Sequence, residues 1–257
     1  ATLRKSLCIF EEKVLAKNIS VAMAVYNGEK YLREQLDSIL IQLDGSKDEI
    51  IISYNKSTDS TWDILMEYSK QNSCITVIEC IKKGVQSNFD CALHHVNGRY
   101  IFLCDQDDVW LEGKIEKCMS CFTETKADLI MHDGYITDSE LNYSESKTIF
   151  SERRVGRGLI KNSVHCSYHG CCMAMTDNLC EQVLPLPEGP FFHDMWIGEV
   201  AELLNKKIIF LDDKCILYRR HGENCSGTEG RTFYKKVRER LYLAMRLFQK
   251  YMWSKVR

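Results

Sequence analysis

The sequence lacks the patterns that mark several large classes of protein. No apolar run approaches the length that a membrane-spanning helix needs, and no secretory signal peptide is visible. No glycine-rich dinucleotide fingerprint follows the first predicted strand and no phosphate-binding P-loop occurs, which argues against a dinucleotide dehydrogenase and an ATPase. The net charge is only −2, so the charge balance gives no reason to expect a nucleic-acid partner.

The 13 cysteines lack the regular spacing of a disulfide framework or a zinc site. Cys118 and Cys121 form a Cys-x-x-Cys pair, but they fall in a helical pattern that has no second pair of ligands. So many unpaired cysteines indicate a reducing compartment, and we therefore expect a cytoplasmic protein.

Strand and helix patterns alternate along the first half of the chain. Buried-strand patterns cover residues 19–25, 49–53, 75–78 and 100–104, and a helical pattern follows each of the first three. This alternation predicts an α/β fold with a mainly parallel sheet flanked by helices. Ligands bind such sheets beyond the carboxyl ends of the strands, so we expect the loops 26–29, 54–59 and 105–108 to share one edge.

The second half of the chain is less regular. A helix is predicted over 110–124 and a strand over 128–132, but the alternation stops near residue 137. Residues 138–163 are polar and are predicted to form a mobile loop or insertion. The remaining predicted elements are a strand at 170–175, helices at 177–184 and from about 194 to 204, strands at 207–211 and 215–219, and a C-terminal helix at 231–257.

Three carboxylates, those of Asp105, Asp107 and Asp108, follow directly on the strand 100–104. Like charges at one strand end repel each other unless a cation lies between them, and hard divalent cations take oxygen ligands. A turn could direct Asp105 and Asp107 at one ion, because they are two residues apart. The alternative is that Asp107 or Asp108 caps the helix predicted to begin near Trp110.

Five segments of the chain carry a family resemblance. They are Val25–Gly28 with Tyr31-Leu32, Ser57–Asp59, Gly84 with Asn88-Phe89, Asp105–Trp110, and His193-Asp194 with Tyr218–Asn224. In this order they resemble the family 2 glycosyltransferases with the GT-A fold, and most closely the rhamnosyltransferase-like branch, for which the Asp-Gln-Asp-Asp-Val-Trp form is distinctive. The resemblance implies transfer of a sugar, with rhamnose as one candidate, from a nucleoside-diphosphate donor to a polysaccharide or lipid-linked glycan acceptor.

The resemblance also implies a domain organisation. Residues 1–18 are expected to form an N-terminal arm, and residues 19–227 a GT-A domain. Within that domain, 19–136 are expected to bind the nucleotide sugar and 137–227 the acceptor. Residues 228–257 are expected to form a basic amphipathic helix.

Site residues follow from the same resemblance. It implies that Asp107 ligates Mn²⁺ or Mg²⁺ and that His221 is a further metal or diphosphate ligand. Asp108, Arg219, Arg220 and His193 are expected to contact the diphosphate or to support the residues that do. The expected nucleotide-binding residues are Ala24, Tyr26, Asn27, Glu29, Tyr54, Asn55, Asn88, Asp105 and Gln106.

Residues 54 and 55 depart from the family pattern, which has two aspartates before the Ser57–Asp59 turn. The chain has Tyr54 and Asn55 there. The amide oxygen of Asn55 can still accept a hydrogen bond from a pyrimidine ring, but it lacks the charge that strengthens such a bond. Tyr54 could stack on the base or close the pocket. This departure motivates the alternative function, a non-catalytic nucleotide-sugar or glycan-binding protein that retains the GT-A fold.

Asp194 is the candidate general base. An aspartate at a helix start is often only a cap, but the resemblance places the base of this branch in a His-Asp pair at this point of the chain. The helix N-terminus favours the ionised form that accepts a proton. A single base with no nucleophile in view fits one displacement with inversion.

The C-terminal helix allows two interpretations. Its apolar residues at helical spacing either pack on the domain or lie on a membrane, where the lysines and arginines between them would contact anionic lipid. We expect a mixture of both, with peripheral contact at the inner face of the cell membrane.

Overall fold

The computed structural model describes residues 18–153, 155–189, 193–222 and 233–256. Most of the expected N-terminal arm, and the motif residues Glu223 and Asn224, lie outside these residues. The strands are β1 (Ile19–Val25), β2 (Glu49–Tyr54), β3 (Ile75–Glu79), β4 (Tyr100–Cys104), β5 (Val109–Trp110), β6 (Leu129–Thr137), β7 (Tyr143–Thr148), β8 (Met173–Thr176) and β9 (Ile208–Arg219). The helices are α1 (Leu32–Leu40), α2 (Thr61–Gln71), α3 (Val85–Leu93), α4 (Lys114–Thr125), α5 (Ile149–Glu152), α6 (Leu159–Val164), α7 (Asp177–Val183), α8 (His193–Leu203) and α9 (Phe233–Val256).

The strands form one sheet in the order β3-β2-β1-β4-β8-β6-β9-β5, with β7 paired to β6. The first four strands along the chain are mutually parallel, as the strand-helix alternation predicts. Strand β8 lies antiparallel between β4 and β6, whereas β6 and β9 pair in parallel. Every residue of β2 is buried, because the sheet is covered on both faces. The prediction of a mainly parallel α/β fold is confirmed.

The helix predicted over 110–124 begins later than expected. Val109 and Trp110 form a short strand that pairs antiparallel with β9, and α4 begins only at Lys114. Gly113 precedes that helix with a φ of 78°, a conformation that glycine adopts at little cost. Neither Asp107 nor Asp108 is therefore a helix cap, and the capping alternative is wrong.

Of the two alternatives for residues 138–163, a mobile loop or an insertion, the mobile loop is wrong. This region contains β7, α5 and α6, and Thr148 and Ser151 close a reciprocal capping box at the start of α5. Strand β7 was missed because its residues are polar and exposed, and its pairing partner lies on β6. Likewise, the two strands predicted at 207–211 and 215–219 are one continuous strand, β9.

Helix α9 packs on the domain through one side, where Leu243 and Leu247 are buried. Its opposite side exposes a row of apolar residues, Leu241, Met245, Phe248 and Met252. Among the residues described, no helix is both long enough and apolar enough to cross a bilayer.

Candidate active site

The loops that follow β1 and β2 are joined by hydrogen bonds into one rim. Asn27 has a φ of 48°, in the left-handed region that asparagine tolerates. Its backbone N–H donates to Ser57 Oγ at 3.0 Å, and its side-chain oxygen accepts from the Thr58 N–H at 2.9 Å. Glu29 Oε2 accepts from the Ser60 N–H at 2.8 Å. The rim is therefore fixed before any ligand arrives.

Gln106 connects this rim to the loop after β4. Its side-chain oxygen accepts from the Tyr26 N–H at 2.8 Å, and its side-chain nitrogen donates to the Tyr26 carbonyl at 2.9 Å. Gly28 packs so closely that a Cβ there would lie 2.7 Å from Gln106 Oε1. The amide of Gln106 thus positions the rim, while the ring of Tyr26 remains exposed beside it.

Tyr54 and Asn55 both turn into the protein. The Tyr54 ring is buried against Trp62, with centroids 5.1 Å apart, and its hydroxyl accepts from the Ser57 N–H at 2.9 Å. Asn55 is buried, and its side-chain nitrogen donates to the carbonyls of Cys80 and Lys82 at 2.7 and 3.0 Å. Its side-chain oxygen accepts from the Gly84 N–H at 3.1 Å. In this arrangement Tyr54 does not present its ring for base stacking, and Asn55 holds the β3–α3 loop.

Two further predicted nucleotide-binding residues lie at the sheet end beneath the rim. Asn88 is buried on α3, where its side chain donates to the Val25 carbonyl at 3.2 Å and accepts from Ser53 Oγ at 3.0 Å. Ala24 is half-buried near the end of β1. Nucleotide contacts by either residue stay predictions.

Carboxylates gather beyond the end of β4, as the sequence predicts. Asp105 is half-buried, and burial together with the charges of Asp107, Asp108 and Asp194 raises its pKa well above the usual range. Asp108 is only 1% exposed, and burial with the nearby Asp107 charge raises its pKa to about 7. One Asp108 oxygen accepts from the Arg219 N–H at 3.0 Å, and the other has no hydrogen-bond partner among the described residues.

Asp107 and His221 are in direct contact. His221 Nε2 lies 2.7 Å from Asp107 Oδ2, and the imidazole packs on the Tyr31 ring with centroids 5.0 Å apart. The pair brings together residues that are 114 positions apart in the chain. A carboxylate oxygen and an imidazole nitrogen, placed this way, are suitable ligands for Mn²⁺.

Arg219, the last residue of β9, and Arg220, which follows it, have different surroundings. Arg219 is 3% exposed, and its guanidinium donates to the carbonyls of Asp107 and Ser139 at 2.8 and 2.6 Å. It also pairs with Glu34. Arg219 therefore supports the Asp107 loop and has no open face for a phosphate. Arg220 is exposed and forms two hydrogen bonds with Glu152, at 3.2 and 2.6 Å.

Lys114 is a buried cation that the sequence patterns did not single out. It is only 1% exposed, although lysine is rarely buried, and its ammonium lies 4.0 Å from the centre of the Trp110 ring. It donates to the Cys171 carbonyl at 3.2 Å. Its charge opposes the rise in pKa of Asp105 and Asp108, so it partly balances the carboxylates from inside the fold. No local motif marks Lys114, because its partners come from β5 and the 170–172 turn.

Asp194 lies in the first turn of α8. Its Oδ1 accepts from the Met195 N–H at 2.6 Å. Burial raises its pKa above the usual range, although that hydrogen bond and the nearby charge of Arg153 oppose the rise. Its own charge in turn raises the pKa of Asp105, which places the two groups in one electrostatic neighbourhood.

His193 packs inside the protein. Its ring stacks on Phe89 with centroids 3.8 Å apart, and burial lowers its pKa to about 3. Neither ring nitrogen has a hydrogen-bond partner among the described residues. His193 therefore packs in the core, and among the described residues no hydrogen bond from it orients Asp194.

Comparison with known proteins identifies the fold and the family. The model of "Glycosyl transferase family 2" matches residues 20–184, which is more than half of the chain. The glycosyltransferase GlyA of Streptococcus pneumoniae is 27% identical over 213 residues, covering 78% of this chain and 30% of GlyA. The chain thus spans less than a third of that relative.

Two solved structures have the same fold. The structure of S. aureus TarS residues 1–349 with UDP-GlcNAc has a TM-score of 0.66 at 19% identity, covering 88% of this chain and 66% of that one. The mannosyltransferase of Pyrobaculum calidifontis with GDP-Man and Mn²⁺ has a TM-score of 0.61 at 15% identity, covering 89% and 64%. The fold is of the GT-A type, as the resemblance implies. The chain belongs to glycosyltransferase family 2.

Proposed function

We propose that the protein is a metal-dependent, inverting glycosyltransferase that moves a hexose from a nucleoside-diphosphate donor to a polysaccharide or lipid-linked glycan. The observation that carries the proposal is the 2.7 Å contact between Asp107 and His221, on a loop that Gln106 ties to the rim formed by residues 26–29 and 57–61. The charges of Asp107 and Asp194 both act on the neighbouring Asp105. Membership of the family supports sugar transfer. The nucleotide sugars bound by TarS and the mannosyltransferase support the class of donor.

The proposed metal is Mn²⁺ or Mg²⁺. Asp107 and His221 would hold it, because a carboxylate oxygen and an imidazole nitrogen, which are ligands for such an ion, lie side by side in contact at 2.7 Å. A bound divalent ion acts as a Lewis acid that stabilises negative charge on a leaving diphosphate. The Mn²⁺ in the mannosyltransferase structure is consistent with this choice.

The proposed base is Asp194. Its raised pKa makes its ionised form a stronger proton acceptor than the carboxylate of an exposed aspartate. It would take the proton of the acceptor hydroxyl as that oxygen attacks the sugar. Transfer in one displacement then inverts the configuration at the anomeric carbon. The Asp105–Trp110 motif keeps rhamnose among the candidate sugars.

The experiment is a turnover screen of UDP-, dTDP- and GDP-sugars with Mn²⁺, read as nucleoside diphosphate released with and without a panel of glycan acceptors. Asp107→Ala is expected to abolish turnover. Asp63→Ala, which changes an exposed aspartate on α2, is the matched control and is expected to behave like wild type. Unchanged turnover in Asp107→Ala would contradict the proposal.

A second candidate function is a non-catalytic nucleotide-sugar or glycan-binding protein with the same fold. The inward-turned Tyr54 and Asn55, in place of two aspartates, favour it. Tight binding of a nucleotide sugar with neither transfer nor donor hydrolysis would support this alternative. Turnover that is lost in Asp194→Asn would exclude it.

The proposed acceptor is lipid-linked if α9 contacts a membrane. Its sequence carries seven lysines or arginines and one glutamate, and that glutamate, Glu239, is buried. The exposed row Leu241, Met245, Phe248 and Met252 would enter an anionic lipid surface. Cosedimentation with phosphatidylglycerol vesicles tests this contact, and unchanged binding by Phe248→Glu would contradict it.

A further inference from the structure

Strand β7 presents an exposed tyrosine that stacks on a half-buried tyrosine of β6 next to the candidate active site. Tyr143 is 50% exposed, and its ring stacks on Tyr135 of β6 with centroids 4.7 Å apart and an angle of 24° between the planes. The following residues of β7 up to Lys147 are polar or charged and exposed. One face of the pair is therefore available to a ligand and surrounded by groups that form hydrogen bonds.

Two open clefts meet at Tyr143. One has a volume of about 670 Å³ and includes Tyr135, Glu112, Lys117 and Asp212 in its lining. The other has a volume of about 450 Å³ and is lined by, among others, Asp138, Asn142, Lys147 and Arg220. The two linings together contain equal numbers of acidic and basic side chains. The four acidic ones are Glu112, Asp138, Asp212 and Asp213, and the four basic ones are Lys117, Lys147, Lys214 and Arg220.

The smaller cleft adjoins the carboxylate site through direct contacts. The Arg219 guanidinium donates both to the Asp107 carbonyl and to the Ser139 carbonyl, so the Asp107 loop and the β6–β7 turn are held by one side chain. The next residue, Arg220, lines the cleft and donates its backbone N–H to the Thr137 carbonyl at 3.0 Å. His221, the partner of Asp107, follows directly.

We propose that Tyr143 and Tyr135 form a platform that binds a sugar unit of the glycan acceptor. This inference rests on the proposed function and assigns the acceptor side of the same site. A sugar ring has an apolar C–H face that packs on an aromatic ring, and an edge of hydroxyls that bonds to polar groups such as Asp138 and Asn142. The balanced charge of the linings fits a neutral glycan better than a polyanion.

The test measures sugar binding at Tyr143 directly. Protein carrying ¹³C-labelled tyrosine is titrated with the methyl glycosides of glucose, galactose, rhamnose and N-acetylglucosamine, and the tyrosine ring signals are followed by NMR. At least one glycoside is expected to shift the signals of Tyr143 and Tyr135. Tyr143→Ala is expected to weaken that binding by about fivefold, since an aromatic contact contributes about 1 kcal/mol. Tyr143→Phe is expected to retain it.

Two controls make the result specific. Tyr251→Ala removes another exposed tyrosine, 40% exposed on α9, and is expected to leave glycoside binding unchanged. Affinity for UDP with Mn²⁺ is measured in the same samples and is expected to be equal in wild type and Tyr143→Ala. Absence of any glycoside shift at Tyr143, or full binding by Tyr143→Ala, would overturn the platform. If UDP fails to bind while glycosides still shift Tyr143, the donor proposal fails and the platform stands.

Discussion

Two parts of one sheet edge are built in opposite ways. Beyond β1 and β2, the polar side chains of Asn27, Glu29 and Asn55 are hydrogen-bonded to neighbouring backbone. Beyond β4, carboxylates approach one another closely enough that burial and mutual repulsion raise the pKa of Asp105 and bring that of Asp108 to about 7.

This difference suggests that one part of the edge is structural and the other is reactive. A rim whose hydrogen bonds are already made stays in place when a ligand enters, so little ordering has to accompany binding. A cluster of like charges changes when a ligand enters, because it is most stable when a cation or a proton binds to it. We infer that the rim shapes the binding site for the donor. We also infer that the cluster of carboxylates (Asp105, Asp107 and Asp108) carries out the reaction.

Replacing Asp194 tests the reactive part and has the largest expected effect. Asp194→Asn keeps the size and an oxygen that can accept from the Met195 N–H, but it cannot accept a proton, so kcat is expected to fall at least about 100-fold with donor affinity unchanged. The matched control is Asp177→Asn in the first turn of α7, where Asp177 accepts from the N–H of the next residue, Asn178, at 2.7 Å in the same way. Equal loss of kcat in both variants would show that Asp194 has only a structural role.

Replacing Arg219 tests whether the carboxylate site depends on the buried side chain that supports the Asp107 loop. Arg219→Met removes the donors to Asp107, Ser139 and Glu34, and is expected to lower the free energy of unfolding by about 2 to 3 kcal/mol. It is also expected to weaken Mn²⁺ affinity, because the Asp107 loop loses its support. Urea unfolding and Mn²⁺ titration measure the two effects.

The neighbouring arginine is the control for that experiment. Arg220→Met breaks an exposed pair with Glu152 and is expected to cost less than about 1 kcal/mol. If Arg219→Met changes Mn²⁺ affinity no more than Arg220→Met does, the support role of Arg219 is wrong.

Replacing Asn55 tests the rim and has the smallest expected effect. Asn55→Asp restores the family residue, but a carboxylate cannot donate to the Cys80 and Lys82 carbonyls. We expect a loss of about 2 kcal/mol in the free energy of unfolding, with no gain in UDP affinity. Asn72→Asp, which loses one donated bond, to Tyr68, is the milder comparison. Tighter UDP binding by a stable Asn55→Asp protein would instead mean that residue 55 contacts the base.

Local pattern was enough to predict the first half of the fold. Runs such as Ile50–Ile52 and the helices between them depend on neighbours in sequence, so their type and order were predicted correctly. The predicted helix includes Trp110 because its strand partner, Ile216, lies more than 100 residues away in the chain and leaves no local signal. The polar strand β7 was missed for the same reason: only its pairing with β6 marks it as a strand.

The candidate site was predictable to the extent that motifs mark it. Asp107 and His221 were both named from motifs and lie 2.7 Å apart, while their role as metal ligands stays a prediction. The inward orientation of Asn55, the burial of Arg219 and the position of Lys114 depend on contacts between distant segments, which no motif in this chain records. Motifs thus indicated which residues gather at the edge, and tertiary packing decides which of them face a ligand.

The most direct test of the central claim is calorimetric titration of UDP into wild type and Asp107→Ala, each with and without Mn²⁺. If the cluster of carboxylates beyond β4 requires a cation before it can bind a diphosphate, wild type will bind UDP much more tightly with Mn²⁺ than without it. Asp107→Ala will then show no such gain. UDP binding that is equally tight with and without Mn²⁺, or a Mn²⁺ gain that survives in Asp107→Ala, would contradict the account.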